Sequence, residues 1–106
     1  MIALVFRYDV RDSESFEEVY GPNGEWARFF RKGAGYIGTE LLRDVELPDR
    51  YLVVDRWESR EAYQAFVDAH RDEYMRRVDE TAFHYVQELR LGTFENIWHD
   101  GDPAPS

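Results

Sequence analysis

A chain of 106 residues has room for one ordinary domain, long enough to bury roughly two-thirds of the surface its unfolded form would expose. Hydrophobic residues at 43% and aromatics at 16% are enough for a packed core and exclude a disordered chain, while 22 acidic against 13 basic residues leave a net charge of -9 that repels phosphate backbones and anionic lipid. Neither nucleic acid nor a membrane is therefore an expected partner, and the absence of cysteine excludes disulfides, thiolate nucleophiles and cysteine-ligated metal centres and points to the cytoplasm.

Ile2, Leu4, Phe6, Tyr8 and Val10 alternate with Ala3, Val5, Arg7 and Asp9, a period of two that predicts a strand over 2–10. Its apolar opening, Ile2 to Phe6, ends at Arg7 and is too short for a signal-peptide core or a membrane span. Ser13 offers an N-cap, with Phe16, Val19 and Tyr20 following at helical spacing. Gly21, Pro22, Asn23 and Gly24 interrupt the pattern and Trp26, Phe29 and Phe30 resume it, so two short helices around a turn are predicted. Residues 35–46 read as a second strand, Pro48-Asp49 as the turn of a central antiparallel hairpin, and 51–57 as a third strand.

Ser59 then caps what the spacing predicts as one long helix, its apolar stripe carrying Tyr63, Phe66, Val67, His70, Tyr74 and Val78 over roughly four turns. A final strand is expected over 83–95, rich in β-branched and aromatic residues. The domain is expected to occupy 1–96, with 97–106, including Gly101, Pro103 and Pro105, as a flexible tail. The fold class is α+β with the ferredoxin-like β-α-β-β-α-β order: a four-stranded antiparallel sheet with the helices on one face. The bare face is then best hidden by a second copy of the chain, because a twofold axis needs only one self-complementary patch.

Gly33-Ala34-Gly35-Tyr36-Ile37-Gly38 has the letters of G-x-G-x-x-G, but it follows a predicted helix and enters a strand. The opposite order is needed to face a helix N-terminus toward a pyrophosphate, so the run reads as a helix stop and turn. No metal site is expected, since His70 with Asp72 or Glu73 lacks both ligand spacing and a third ligand. No G-x-S-x-G marks a serine hydrolase. His70, on the apolar stripe, is the candidate base toward an acidic phenol or enol, with a hydrogen-bonded core histidine as the alternative.

Trp26, Phe29, Phe30, Tyr36, Trp57, Tyr63, Phe66 and Tyr74 converge between sheet and helices either as core or as the lining of a cavity for a flat aromatic ligand. Arg7, Asp9, Glu40, Asp55, Arg56 and Glu88 are charges inside predicted strands, assigned to cross-strand pairs, solvated edges, a dimer interface or a polar ligand group without distinction among them.

Gly24-x-Trp26, Gly35-Tyr36-Ile37-Gly38-Thr39-Glu40-Leu41-Leu42-Arg43-Asp44, Arg50-Tyr51-Leu52, Asp55-x-Trp57-x-Ser59 and Glu61-Ala62-Tyr63-x-x-Phe66 together resemble the antibiotic biosynthesis monooxygenase family. The resemblance spans nearly the whole chain except its tail and implies a dimeric α+β barrel. Relatives of that kind include cofactor-independent oxygenases of polyketide quinols, quinol monooxygenases and haem-degrading enzymes. The haem-degrading branch, with an asparagine on its first strand and a tryptophan on its second helix, is matched least: the first strand here has no asparagine, and Ala65 and Phe66 stand where that tryptophan is expected.

The resemblance thus implies a homodimeric monooxygenase without a cofactor, acting on an aromatic quinol or polyketide-like phenol. His70 and Trp57 are its expected catalytic residues, and Trp26, Phe30, Tyr63, Phe66 and Tyr74 its substrate-binding ones. A non-catalytic dimer that binds a small hydrophobic metabolite is the alternative from a different class, and a purely structural domain the third.

Overall fold

The protein's structure, a computed structural model, describes residues 1–97, so the tail expected over 97–106 lies, apart from Ile97, outside the described residues. Alternation in the first segment gives β1, Ile2–Val10, whose register pairs it antiparallel with both β3 (Arg50–Trp57) and β4 (Tyr85–Glu95). β2, Tyr36–Arg43, pairs with β3 through the Pro48-Asp49 turn, giving one four-stranded antiparallel sheet of order β2-β3-β1-β4. Central β1 and β3 are the most buried strands, while β2 and β4 are the edges.

The helices follow the sequence pattern with two differences. α1, Ser13–Tyr20, is capped one residue before the expected Ser13, which becomes its first helical residue: Asp12 accepts from the Glu14 amide at 3.2 Å, satisfying one of the free amides of the first turn. α2, Glu25–Phe30, follows the glycine turn and ends before Gly33, where an added Cβ would lie 2.8 Å from the Trp57 ring. The glycine motif is therefore a helix exit and a close-packing point.

The single long helix is in fact two, α3 (Arg60–Ala69) and α4 (Arg71–Thr81), followed by a 3₁₀ turn at Ala82–His84. They break at His70, with φ -123° and ψ 32°. Its amide and its Nδ1 both reach the Phe66 carbonyl at 3.0 Å, and the ring stacks on Phe66 with centroids 4.4 Å apart. Such a side-chain bond to the local backbone competes with helix propagation, and hydrophobic spacing alone carries no trace of it. The expected Ser59 cap is present, accepting from the Ala62 amide at 3.0 Å.

All four helices cover one face of the sheet. The other face carries Val5, Leu52, Leu42, Leu89 and Phe94, interleaved with the ion pairs Arg50–Asp9 and Arg56–Glu40, both at 3.0 Å. Among the described residues no helix is long and apolar enough to cross a membrane.

Candidate functional site

Beneath the helices, two aromatic clusters meet at a cavity of about 300 Å³. β1 and β3 form its floor with Leu4, Phe6, Tyr8, Val53 and Asp55, and α3 and α4 roof it with Tyr63, Tyr74, Met75 and Val78. Trp26 and Phe30 of α2 close one side, while Tyr85 and Glu88 of β4 line another. That volume sits at the lower end of the range for small-molecule pockets, and the predominantly apolar wall with a few polar groups is the usual composition of one.

Asp55 is the acid of this floor. In the alternation Val53, Asp55, Trp57 it takes the inward-facing position, so the pleat aims a carboxylate at the helices. Burial raises it from the ordinary 3.8 to about 6, offset in part by the Thr39 hydroxyl, which donates to Oδ1 at 2.7 Å. Among the described residues this is the one side-chain hydrogen bond the carboxylate receives.

The tyrosines around it are held protonated. Burial, then Tyr74, pushes Tyr63 up, and burial together with Glu88 pushes Tyr8 far above the ordinary range of a phenol. Tyr8 donates to Glu88 Oε2 at 2.5 Å. Because Leu4 pairs with Asp55 and Tyr8 with Glu88, the two acids stand four positions apart along β1, roughly 13 Å.

Thr81, 3% exposed, ties the far wall. Its hydroxyl donates to the Arg77 carbonyl at 2.7 Å and accepts from Tyr20 at 3.1 Å and from Trp26 Nε1 at 3.2 Å. The Trp26 indole N–H is thereby spent, and its ring rather than its polar tip meets the cavity. Burial raises Tyr20 to about 12.

Of the residues singled out from the sequence, Trp26, Phe30, Tyr63 and Tyr74 line the cavity, whereas Trp57, Phe66 and His70 do not. Trp57, 0% exposed, belongs to the sealed cluster with Phe29, Phe30 and Phe66, its ring 5.5 Å from Tyr63, so it backs the lining. His70 presents its Nδ1 proton to the Phe66 carbonyl, which can only accept. Tyr8, Thr81 and Tyr85 also line the cavity without being candidates in the sequence, and Asp55 and Glu88 stand there only among the unassigned strand charges. For Asp55 the signal was present: an acid sharing the inward parity of Val53 and Trp57 on a central strand.

The family model for the antibiotic biosynthesis monooxygenases matches residues 1–80. The chain belongs to this family. Among solved structures, SnoaB of Streptomyces nogalater, a cofactor-independent oxygenase crystallised as a variant, superposes with a TM-score of 0.79 at 18% identity, covering 95% of this chain and 97% of that one. An antibiotic biosynthesis monooxygenase candidate from Nitrosomonas europaea superposes at 0.66 with 19% identity, over 92% and 100%. A MhuD variant with two manganese protoporphyrin IX molecules per active site gives 0.66 at 24% identity, over 96% and 100%.

A mycobilin-producing heme oxygenase of Mycobacterium tuberculosis is 50% identical over 34 residues, so the match spans 32% of this chain and 32% of that relative. The structural likenesses establish the ferredoxin-like fold, and membership of the antibiotic biosynthesis monooxygenase family supports monooxygenase-type activity.

Proposed function

We propose that this member of the family is a cofactor-independent monooxygenase that oxidises an aromatic quinol or polyketide-like phenol, with Asp55 as its base. The observation that carries the reading is a buried carboxylate of raised basicity in the floor of an aromatic cavity. A base with a pKa near the working pH both exists in its ionised form and holds a proton once it has taken one. Here Asp55 replaces His70, which is turned to Phe66, and Trp57 and Phe66 support the site from behind it.

The chemistry balances without a further reactant. Asp55 takes the phenolic proton, and the anion passes one electron to O₂. The resulting radical pair joins in a C–O bond at a ring carbon that still carries hydrogen. The peroxide anion recovers the proton from Asp55, and loss of water leaves a quinone carbonyl. Trp26 and Phe30 offer ring faces to the substrate, and protonated Tyr63 donates to its developing oxyanion. The predominantly apolar wall limits the water that reaches the peroxide.

A porphyrin suits this lining poorly. Among the described residues the wall holds Asp55 and Glu88 and no Lys, Arg or His to meet two propionates or an iron. The same negative lining favours a neutral ligand with hydrogen-bond donors toward each end. We further propose that the open sheet face is covered by a second copy, its apolar residues and paired charges forming a self-complementary patch, and that the dimer works in the cytoplasm. The test is oxygen consumption with a panel of two- and three-ring quinols and phenols: one O₂ per quinone formed is expected, and binding of the panel with no oxygen uptake would make the chain a binding protein instead.

A further inference from the structure

Asp55 does not end in the cavity wall. On its far side Thr39 donates to Oδ1 at 2.7 Å, and the Tyr36 and Thr39 hydroxyl oxygens are 2.5 Å apart. Thr39 has one hydroxyl hydrogen and gives it to the carboxylate, so Tyr36 is the donor to Thr39. The result is a directed chain, Tyr36 O–H to Thr39 O–H to Asp55 Oδ1, leading away from the cavity. It ends on a half-buried phenol of the edge strand β2.

The backbone makes a specific adjustment to create it. Residues three apart on a regular strand point to opposite faces, so Tyr36 and Thr39 would not meet. The pairing of β2 with β3 slips between Tyr36, opposite Trp57, and Gly38, opposite Arg56, so Ile37 is an inserted residue in a β-bulge. This one extra residue returns Tyr36 to the helix-facing side, beside Thr39. Ile37 itself is 50% exposed and contributes nothing to the core that would explain its insertion.

We infer that Thr39 and Tyr36 are positioning residues that form a proton path between Asp55 and solvent at the β2 edge, open while a ligand fills the cavity. This rests on the reading of Asp55 as the acid–base group. A ligand that covers the carboxylate also cuts it off from water on the cavity side. A carboxyl caught protonated at that moment becomes a donor itself, so both hydroxyls turn round. Asp55 passes its proton to Thr39, Thr39 passes its own to Tyr36, Tyr36 releases one at the edge, and the hydroxyls then return to point at the carboxylate. The other groups that titrate around Asp55 are Tyr8 of β1, Tyr63 of α3 and Tyr74 of α4, with Glu88 and Arg90 of β4 beyond them. Burial keeps Tyr8 and Tyr63 protonated at neutral pH, and none of these groups belongs to the chain of hydroxyls.

Two measurements test the path. In the first, the Asp55 carboxyl is titrated by carbon NMR in the ligand-free protein. T39V removes the stabilising donor and raises the Asp55 pKa by about one pH unit, T39S restores it, and Y36F leaves it close to wild type. An unchanged pKa in T39V would overturn the hydrogen-bonded chain.

In the second, a chromophoric nitrophenol is bound and the pH is jumped in a stopped-flow instrument. The bound phenol re-ionises in wild type faster than it dissociates, and at least tenfold more slowly in Y36F and T39V. Equal rates in all of them would overturn the path. If D55N also leaves the ionisation of the bound phenol unchanged, then Asp55 as the base fails as well. If only the Y36F and T39V rates match wild type, the base stands and the path alone falls.

Discussion

Two neighbouring zones under the same helices are built from the same class of side chain and end differently. Toward one end of the sheet Ile2, Phe29, Phe30, Trp57 and Phe66 pack edge to face, Trp57 against Phe30 with centroids 5.7 Å apart, and leave no space. Alongside it, Tyr8, Tyr20, Tyr63, Tyr74 and Tyr85 surround the cavity, each carrying a hydroxyl that needs a partner. The sealed zone carries one polar tip, the Trp57 indole N–H, which is buried with no hydrogen-bond partner among the described residues, whereas in the phenolic zone Tyr8 and Tyr20 hold theirs on Glu88 and Thr81. The sealed zone supplies stability and the phenolic zone supplies chemistry, and Phe30 belongs to both.

That division is broken most directly at Asp55. D55N is expected to lower turnover in the oxygen-consumption assay by about 10²- to 10⁴-fold, the usual contribution of a positioned base. An unimpaired D55N enzyme would remove Asp55 from the chemistry. In the sealed zone the expectation reverses: Phe66→Ala loses about 3–5 kcal/mol in denaturant unfolding. Residual folded F66A should titrate at Asp55 as the wild type does.

The acid also carries a signature in stability. Its folded pKa of about 6 lies above the ordinary 3.8, so the folded state keeps this proton when the unfolded state has lost it. Stability from this group therefore falls as pH rises from 3.8 to 6 and stays lowered above that. D55N escapes the loss, and its advantage over wild type in chemical denaturation is expected to widen by about 3 kcal/mol between acid and neutral pH. A pH-independent gap would mean that Asp55 is not buried as a charge.

Smaller effects sharpen the contrast. Thr81→Val removes the acceptor shared by Tyr20 and Trp26 and is expected to lose about 1–3 kcal/mol, read by thermal unfolding. His70→Ala loses both its stacking on Phe66 and its bond to the Phe66 carbonyl, together about 1–3 kcal/mol, with turnover unchanged. A large loss of turnover in folded H70A would restore the histidine as the base.

Much of this architecture was legible in the chain. The bounds of β1, the paired short helices, the hairpin and the Ser59 cap all follow from two short-range signals, periodicity and capping. The break at His70 was not, because it arises from one imidazole-to-carbonyl bond and leaves the apolar spacing intact on both sides. The site was legible in its aromatic part, since Trp26, Phe30, Tyr63 and Tyr74 all lie on predicted inward faces. Its acidic part was not, because a strand charge can equally be paired across strands, solvated at an edge, set in a dimer interface or turned to a ligand, although Asp55 shares its parity with Val53 and Trp57. Glu88 belongs to an edge strand whose register is shifted in two places, between Val5 and Phe6 and between Asp9 and Val10 of its partner, so simple alternation does not assign its face.

Thr81 has a consequence for ligand choice. Three elements end on one small hydroxyl there, so that side of the chamber cannot be recut without unpinning a tyrosine and a tryptophan together. Earlier along the same helix, α4, the rim is free of such ties: Met75, 52% exposed, is a flexible thioether, and Val78 has no side-chain polar atom to satisfy. Adaptation to longer or bulkier substrates is therefore directed to this rim, where size can be traded residue by residue while the anchored wall keeps its shape.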